Sequence, residues 1–149
     1  MKKIFTMFIG EFKHNLDIKG RLAIPAKFRK DLSDGAIINK GIEKCLSIYT
    51  RSGWESFAEK IKNLPTAKSD ARAFNRSFFS QAAEVELDNQ GRVLIPDNLR
   101  KLTSLDKKAV VIGLYDRIEI WDEETWKEYR IKTEKNAVEI AEQLSDLGI

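Results

Sequence analysis

Among its 149 residues the chain has one cysteine, one histidine and three prolines. The lone Cys45 cannot close an internal disulfide, so packing has to hold the fold and a reducing compartment is expected. One cysteine and one histidine cannot supply a Cys/His metal site. No apolar run reaches the roughly eighteen residues of a membrane-spanning helix, so no membrane contact is expected. The opening "MKKIFTMFIG" has two lysines and some apolar residues, as a secretory leader does. Gly10, Glu11 and Lys13 follow too soon, however, for an apolar stretch and a cleavage site. There is also no Gly-rich phosphate loop and no nucleophile elbow. His14 falls at an inward strand position and Cys45 among apolar strand residues, where both read as packed side chains. Glu84, Glu86 and Asp88 alternate onto the outer face of a strand, a solvated face by default. The expectation is therefore no enzyme, no cofactor and no small-molecule substrate.

Hydrophobic residues make up 42% of the chain, enough for one domain with a core. Charge is unevenly placed. Residues 1–121 hold 22 Lys+Arg against 15 Asp+Glu, and residues 122–149 hold 4 against 8. A basic body suits a polyanionic partner, while the acidic end reads as a solvated helix.

The chain repeats itself. "DIKGRLAIP" at 17–25 returns as "DNQGRVLIP" at 88–96, and residues 17–31 match 88–102 at seven positions. The likeness continues from 36–38 to 109–111 and from 46–49 to 118–121, and Trp54 and Phe57 answer Trp126 and Tyr129. Two copies are too few for a solenoid, so they predict one domain of two halves about an approximate two-fold axis. In each half an alternating strand leads into Asp-x-x-Gly. The Asp side chain can accept a local backbone N–H and Gly takes the positive φ, which makes a tight turn. The next strand puts Leu22 and Ile24, or Val93 and Ile95, on one face, and Arg21 or Arg92 on the other. Pro25 and Pro96 then open short helices that carry Phe28 and Leu32, or Leu99 and Leu102, at helical spacing. Two short strands and a helix complete each half.

Between the halves, "SGWE" at 52–55 resembles a capping box for a helix carrying Trp54, Phe57, Ala58, Ile61 and Leu64, ended by Pro65. A second helix near 69–82 lines up Phe74, Phe78 and Ala82. Asp122 can cap a last helix running toward Leu147, with Gly148 beyond. On it Thr133, Ala137, Ile140, Leu144 and Leu147 form a heptad stripe that could pack on its own domain or on a neighbouring subunit.

Packing accounts for the repeated glycines, prolines and aliphatics, but not for Arg21 and Arg92. Each could form a surface ion pair with Asp17 or Asp88, or read DNA. A guanidinium fork suits guanine or phosphate, and a two-stranded ribbon fits the major groove. Lys13, Lys19, Lys27, Arg29, Arg100 and Lys101 supply nearby charge for phosphates.

The two Asp-x-x-Gly-Arg-aliphatic-x-aliphatic-Pro elements resemble those of the AbrB-like swapped-hairpin proteins. With "MFIGEFKHNLDIKGR" ahead of them and "IEIWDEETW" after, nearly the whole chain is similar to the bacterial MraZ family. The resemblance implies an α+β fold with a mainly β core, a double AbrB-like swapped-hairpin barrel of two pseudo-symmetric halves with flanking helices. It implies one compact domain over 7–149: a first half of about 7–64, a helical connector of about 65–82 and a second half of about 83–149. Residues 1–6 are then an N-terminal extension, with Met7 the expected functional start.

For function, the resemblance implies a transcription regulator of the cell-division and cell-wall gene cluster that binds repeated promoter sequences in double-stranded DNA. It implies a ring-shaped homo-oligomer, cytoplasmic and nucleoid-associated. The DNA-binding residues would be Asp17, Lys19, Gly20 and Arg21 in the first turn and Asp88, Gly91 and Arg92 in the second. Lys19 faces Gln90 in the alignment, so the halves need not contribute equally. The rival reading is an AbrB-like interaction module of the antitoxin type, although such proteins carry a single hairpin unit.

Overall fold

The computed structural model describes residues 7–148. The expected extension 1–6 lies outside them. Strand β1 (Phe8–Asn15) leads through the first turn to β2 (Arg21–Ala23), helix α1 (Ala26–Arg29) and a 3₁₀ turn at Lys30–Leu32. Strands β3 (Ala36–Lys40) and β4 (Leu46–Thr50) follow, then helices α2 (Arg51–Lys62) and α3 (Ser69–Gln81). The second half repeats the order with β5 (Ala83–Val85), β6 (Arg92–Leu94), α4 (Asp97–Leu102), β7 (Lys108–Tyr115), β8 (Arg117–Asp122) and α5 (Glu123–Lys135). Helix α6 (Ala137–Gln143) and a last 3₁₀ turn end it.

All strand pairings are antiparallel, in a mixed α/β arrangement. A six-stranded sheet runs β1-β7-β8-β4-β3-β5, and β2 pairs β6 in a separate ribbon. Each half lends its first strand to the other: β1 pairs with β7, and β5 with β3. The registers obey one approximate two-fold axis. His14 opposite Ala109 is matched by Val85 opposite Ala36. Leu22 faces Val93 at the centre of the ribbon, and Ser47 faces Glu119 at the centre of the β4–β8 pair. Period-2 alternation then sends Phe8, Leu22, Ile24, Val93 and Ile95 into one core with Ile38, Ile48, Ile118 and Ile120. Phe28 packs there edge-on to Phe8 and Phe12, with ring centroids 5.1 and 5.3 Å apart, each pair worth about 0.5–1.5 kcal/mol beyond its buried area.

Three details depart from the sequence reading, and a fourth narrows an alternative it left open. Thr50, not Ser52, caps α2, its hydroxyl accepting the Gly53 amide at 3.0 Å. Thr50 is the last strand residue, so the cap lies two residues before the Ser of the Ser-to-Glu box and the helix starts at Arg51. Leu102 is exposed, and the position matching Leu32 is filled by buried Thr103, whose hydroxyl donates to the Leu99 carbonyl at 2.8 Å. The last helix is not continuous: Asn136 leaves helical geometry at φ −109°, ψ 15° and separates α5 from α6. The heptad stripe beyond it packs on none of the described core; Ile140, Leu144 and Leu147 stay exposed.

The halves also differ in length. β1 pairs along eight residues of β7, whereas β5 pairs along three of β3. Helix α3 occupies the chain where the long strand would be. The aromatics of α2 and α3 together form a layer over β3 and β4: Trp54 stacks on Phe78 at 5.1 Å, and Phe57 lies 5.8 Å from Tyr49. The other half holds the smaller matching set Trp121, Trp126 and Tyr129. Buried Asn39 ties α3 down. Its Nδ2 donates to the Phe78 carbonyl at 2.9 Å, in the last turn of the helix, where carbonyls run short of intrahelical partners. Asn39→Ala should therefore lower stability by about 1–3 kcal/mol, read as a lower urea midpoint at unchanged slope.

Candidate nucleic-acid interface

Each Asp-x-x-Gly-Arg segment closes on its own aspartate. Asp17 Oδ1 accepts the amides of Lys19 (3.0 Å) and Arg21 (2.9 Å), and Oδ2 accepts Arg21 Nε at 2.6 Å. Asp88 repeats this, with Oδ1 accepting Gln90 and Arg92 amides at 2.9 Å and Oδ2 accepting Arg92 Nε at 2.9 Å. The Gly20 amide donates to the Asp17 carbonyl and the Gly91 amide to the Asp88 carbonyl, both at 3.0 Å. Gly20 and Gly91 sit at φ +85° and +76°, a left-handed conformation that L side chains rarely take.

The β2–β6 ribbon brings the two turns together. The Ile24 amide donates to the Gly91 carbonyl at 2.9 Å, and the Ile95 amide to the Gly20 carbonyl at 3.0 Å. Arg92 Nη1 consequently lies 3.7 Å from Asp17 Oδ2, so the first carboxylate sits between both arginines. All seven residues expected at the site, Asp17, Lys19, Gly20, Arg21, Asp88, Gly91 and Arg92, belong to this one pair of adjoining turns. The core does not hold the guanidiniums; the aspartates do, through Nε. Among the described residues no Nη atom of Arg21 or Arg92 donates a hydrogen bond.

The other cations named from the sequence are partly engaged elsewhere. Lys27 Nζ lies 5.3 Å from the Phe12 ring centroid and Lys101 pairs with Asp97 at 3.1 Å. Arg29 Nε donates to the Ile24 carbonyl at 2.8 Å, and Arg100 Nε to the Ile95 carbonyl at 3.2 Å. Both are closer to the turns than their sequence spacing suggests, since each lies against the glycine of the opposite half. The turn tips also differ in kind. Ile18 is 99% exposed beside Lys19, and the matching tip is the exposed Asn89–Gln90.

Elsewhere the titratable residues match their packed reading. His14 is half-buried, and burial first, then the Arg29 charge, lowers its pKa. Cys45 is a free, buried thiol whose pKa is pushed far up by burial and by Glu119. Among the described residues no group of three or more His, Cys, Asp or Glu is placed to hold a metal ion, and no helix is long and apolar enough to cross a membrane.

The fold and site define a duplicated, mainly antiparallel protein whose two arginine-bearing turns form one surface. The family described as "MraZ protein, putative antitoxin-like" matches the chain twice, over residues 7–77 and 78–147. The chain belongs to the MraZ family, with two repeats.

The turns carry a pH dependence. The Arg21 amide above all, with the Arg21 guanidinium and Lys19 amide, holds the Asp17 pKa below its usual value against some desolvation. The Arg92 amide leads the same set for Asp88. A lowered folded-state pKa stabilises the fold above the unfolded-state value of about 3.9, and this contribution disappears as pH falls through the lowered value. In acid titrations between neutrality and pH ~2, Asp17→Asn with Asp88→Asn should show a shallower loss of stability than the parent. Identical slopes would mean that the turns do not feel these carboxylates.

Proposed function

We propose that the chain is a sequence-specific DNA-binding transcription regulator, acting on repeated promoter sequences of the cell-division and cell-wall gene cluster, as its family resemblance implies. The observation that carries this reading is the pairing of Arg21 and Arg92 on adjoining turns, each aimed through Nε by its own aspartate, with Arg92 Nη1 also near the Asp17 carboxylate. A fork held this way is preorganised for guanine O6/N7 or phosphate, and a ribbon end fits the major groove. The basic body supplies the favourable field. The unlike tips suit unequal base contacts, since an aliphatic side chain meets a thymine methyl and Asn or Gln suits adenine. The exchanged strands and the β2–β6 ribbon support a double swapped-hairpin reading, with one chain doing the work of two hairpin units. We place the protein in the cytoplasm at the nucleoid and assign it no enzymatic activity, since the turns present no nucleophile–base pair.

A ring-shaped homo-oligomer belongs to the same reading. The exposed stripe of Ile140, Leu144 and Leu147 supports it, because such a face is ordinarily covered. Truncation after Trp126 should then reduce the mass seen by light scattering to fewer chains per particle; an unchanged number would place subunit contacts elsewhere. The antitoxin-type reading has one support of its own, the family's "antitoxin-like" description. It would have the exposed C-terminal stripe bind a protein partner, with DNA secondary.

DNA titrations at two salt concentrations separate the readings. If Arg21 or Arg92 reads a guanine, its replacement by Ala should weaken operator binding by about 1–3 kcal/mol and relax one base position. If it touches phosphate alone, affinity should fall on every sequence and the log–log salt slope should shrink by about 0.9. Stability should change by only ~0–1 kcal/mol, as for a partly exposed ion pair. Folded single variants that bind operator as the parent does would end the DNA-reading role.

A further inference from the structure

Arg29 and Arg100 stand eight residues after Arg21 and Arg92, each in the short helix of its own half, yet each lies against the turn of the other half. A Cβ built on Gly20 would fall 2.6 Å from Arg100 Cζ and 2.8 Å from its Nη1. A Cβ on Gly91 would fall 2.5 Å from Arg29 Cζ and 2.6 Å from Cδ. Both glycines are themselves buried. The arginines are anchored at home, Arg29 Nε on the Ile24 carbonyl and Arg100 Nε on the Ile95 carbonyl. Those same isoleucines donate their amides across the axis, Ile24 to the Gly91 carbonyl and Ile95 to the Gly20 carbonyl. Each guanidinium thus bridges the strand end of one half and the turn that this strand end grips in the other. The lack of a Cβ at Gly20 and Gly91 has a second cause beyond positive φ: it leaves the space in which the opposite arginine lies.

We propose that Arg29 and Arg100 are positioning residues for the two turns, each holding the turn of the opposite half. Arg100 serves the turn of Asp17 and Arg21, and Arg29 serves the turn of Asp88 and Arg92. Each arm of the crossed clamp fixes one turn against the strand end of the other half. Its service to DNA rests on the reading of the turns given above; the clamp itself does not.

Residue-resolved amide exchange on the full chain without DNA tests the clamp. Arg100→Ala should speed exchange about tenfold at Lys19, Gly20 and Arg21 and leave Gln90, Gly91 and Arg92 unchanged, and Arg29→Ala should do the reverse. The core amides of Ile48 and Ile118 report global opening and should not move. Faster exchange in the turn of the same half, in both turns equally, or in neither would overturn the proposal. If the alanine variants unfold, Arg29→Lys and Arg100→Lys keep the charge and lose the Nε donor; the same crossed pattern is expected, and full protection in both would overturn it. Double-mutant cycles on a mixed-sequence duplex test the service to DNA: Arg100→Ala should couple to Arg21→Ala and add independently to Arg92→Ala. Full additivity in both cycles would overturn that service. A parent chain that binds no duplex would sink the reading of the turns while the exchange pattern still decides the clamp.

Discussion

The reciprocal hydrogen bonds between Ile24 and Gly91 and between Ile95 and Gly20 set the rest of the architecture. They are the outer rungs of the β2–β6 ribbon, and each joins an apolar strand end of one half to the turn of the other. Because Ile24 and Ile95 are both fully buried, the ribbon cannot open without withdrawing core side chains from their packing. The turns are small and carry few apolar residues of their own, so they take their order from that core. A flexible polar loop is thereby made a rigid edge at which two arginines and two aspartates meet.

This coupling gives the duplication a physical purpose. A single hairpin of this kind leaves its strand without a partner, and an isolated two-stranded hairpin is marginal in water. Two copies in one chain satisfy each other, β1 by β7 and β5 by β3, and need no second chain to finish the ribbon. Covalent linkage also frees the copies to diverge. The first tip keeps Ile18 and Lys19, and the second has Asn89 and Gln90. The first half spends its N-terminal segment on a long edge strand, and the second on α3 and its aromatic layer. A symmetric scaffold can in this way carry an asymmetric surface.

Much of this was legible in the sequence because the signals were local and repeated. Asp, Gly, Arg and Pro at one spacing announced two turns, two strand starts and two short helices, and alternation sorted Leu22 and Ile24 from Arg21. The illegible parts depended on partners distant in sequence. The helix near 69–82 was legible from its stripe of Phe74 and Phe78, but its anchor, the Asn39 side chain on the Phe78 carbonyl, lies some forty residues earlier and was not. Leu102 read as the counterpart of Leu32, because the hydroxyl bond that lets Thr103 take that buried position exists only once α4 is formed. Ser52 and Glu55 imitated a cap that Thr50 supplies, since the strand end reaches the helix first. Arg29 and Arg100 were counted as loose charge for phosphates, and only the fold brings them under the opposite glycines. The repeat of Gly at 20 and 91 with Arg at 29 and 100 was a signal for that clamp, but one that could be read only with the two-fold axis in hand.

The account turns on the two adjoining turns forming a single DNA surface. The most direct measurement is a footprint of the DNA upstream of the gene, made with the parent and with the folded Arg21→Ala, Arg92→Ala double variant at equal concentration. The account predicts evenly spaced, repeated protection by the parent and none by the variant. Protection of the same repeats by the variant would contradict it.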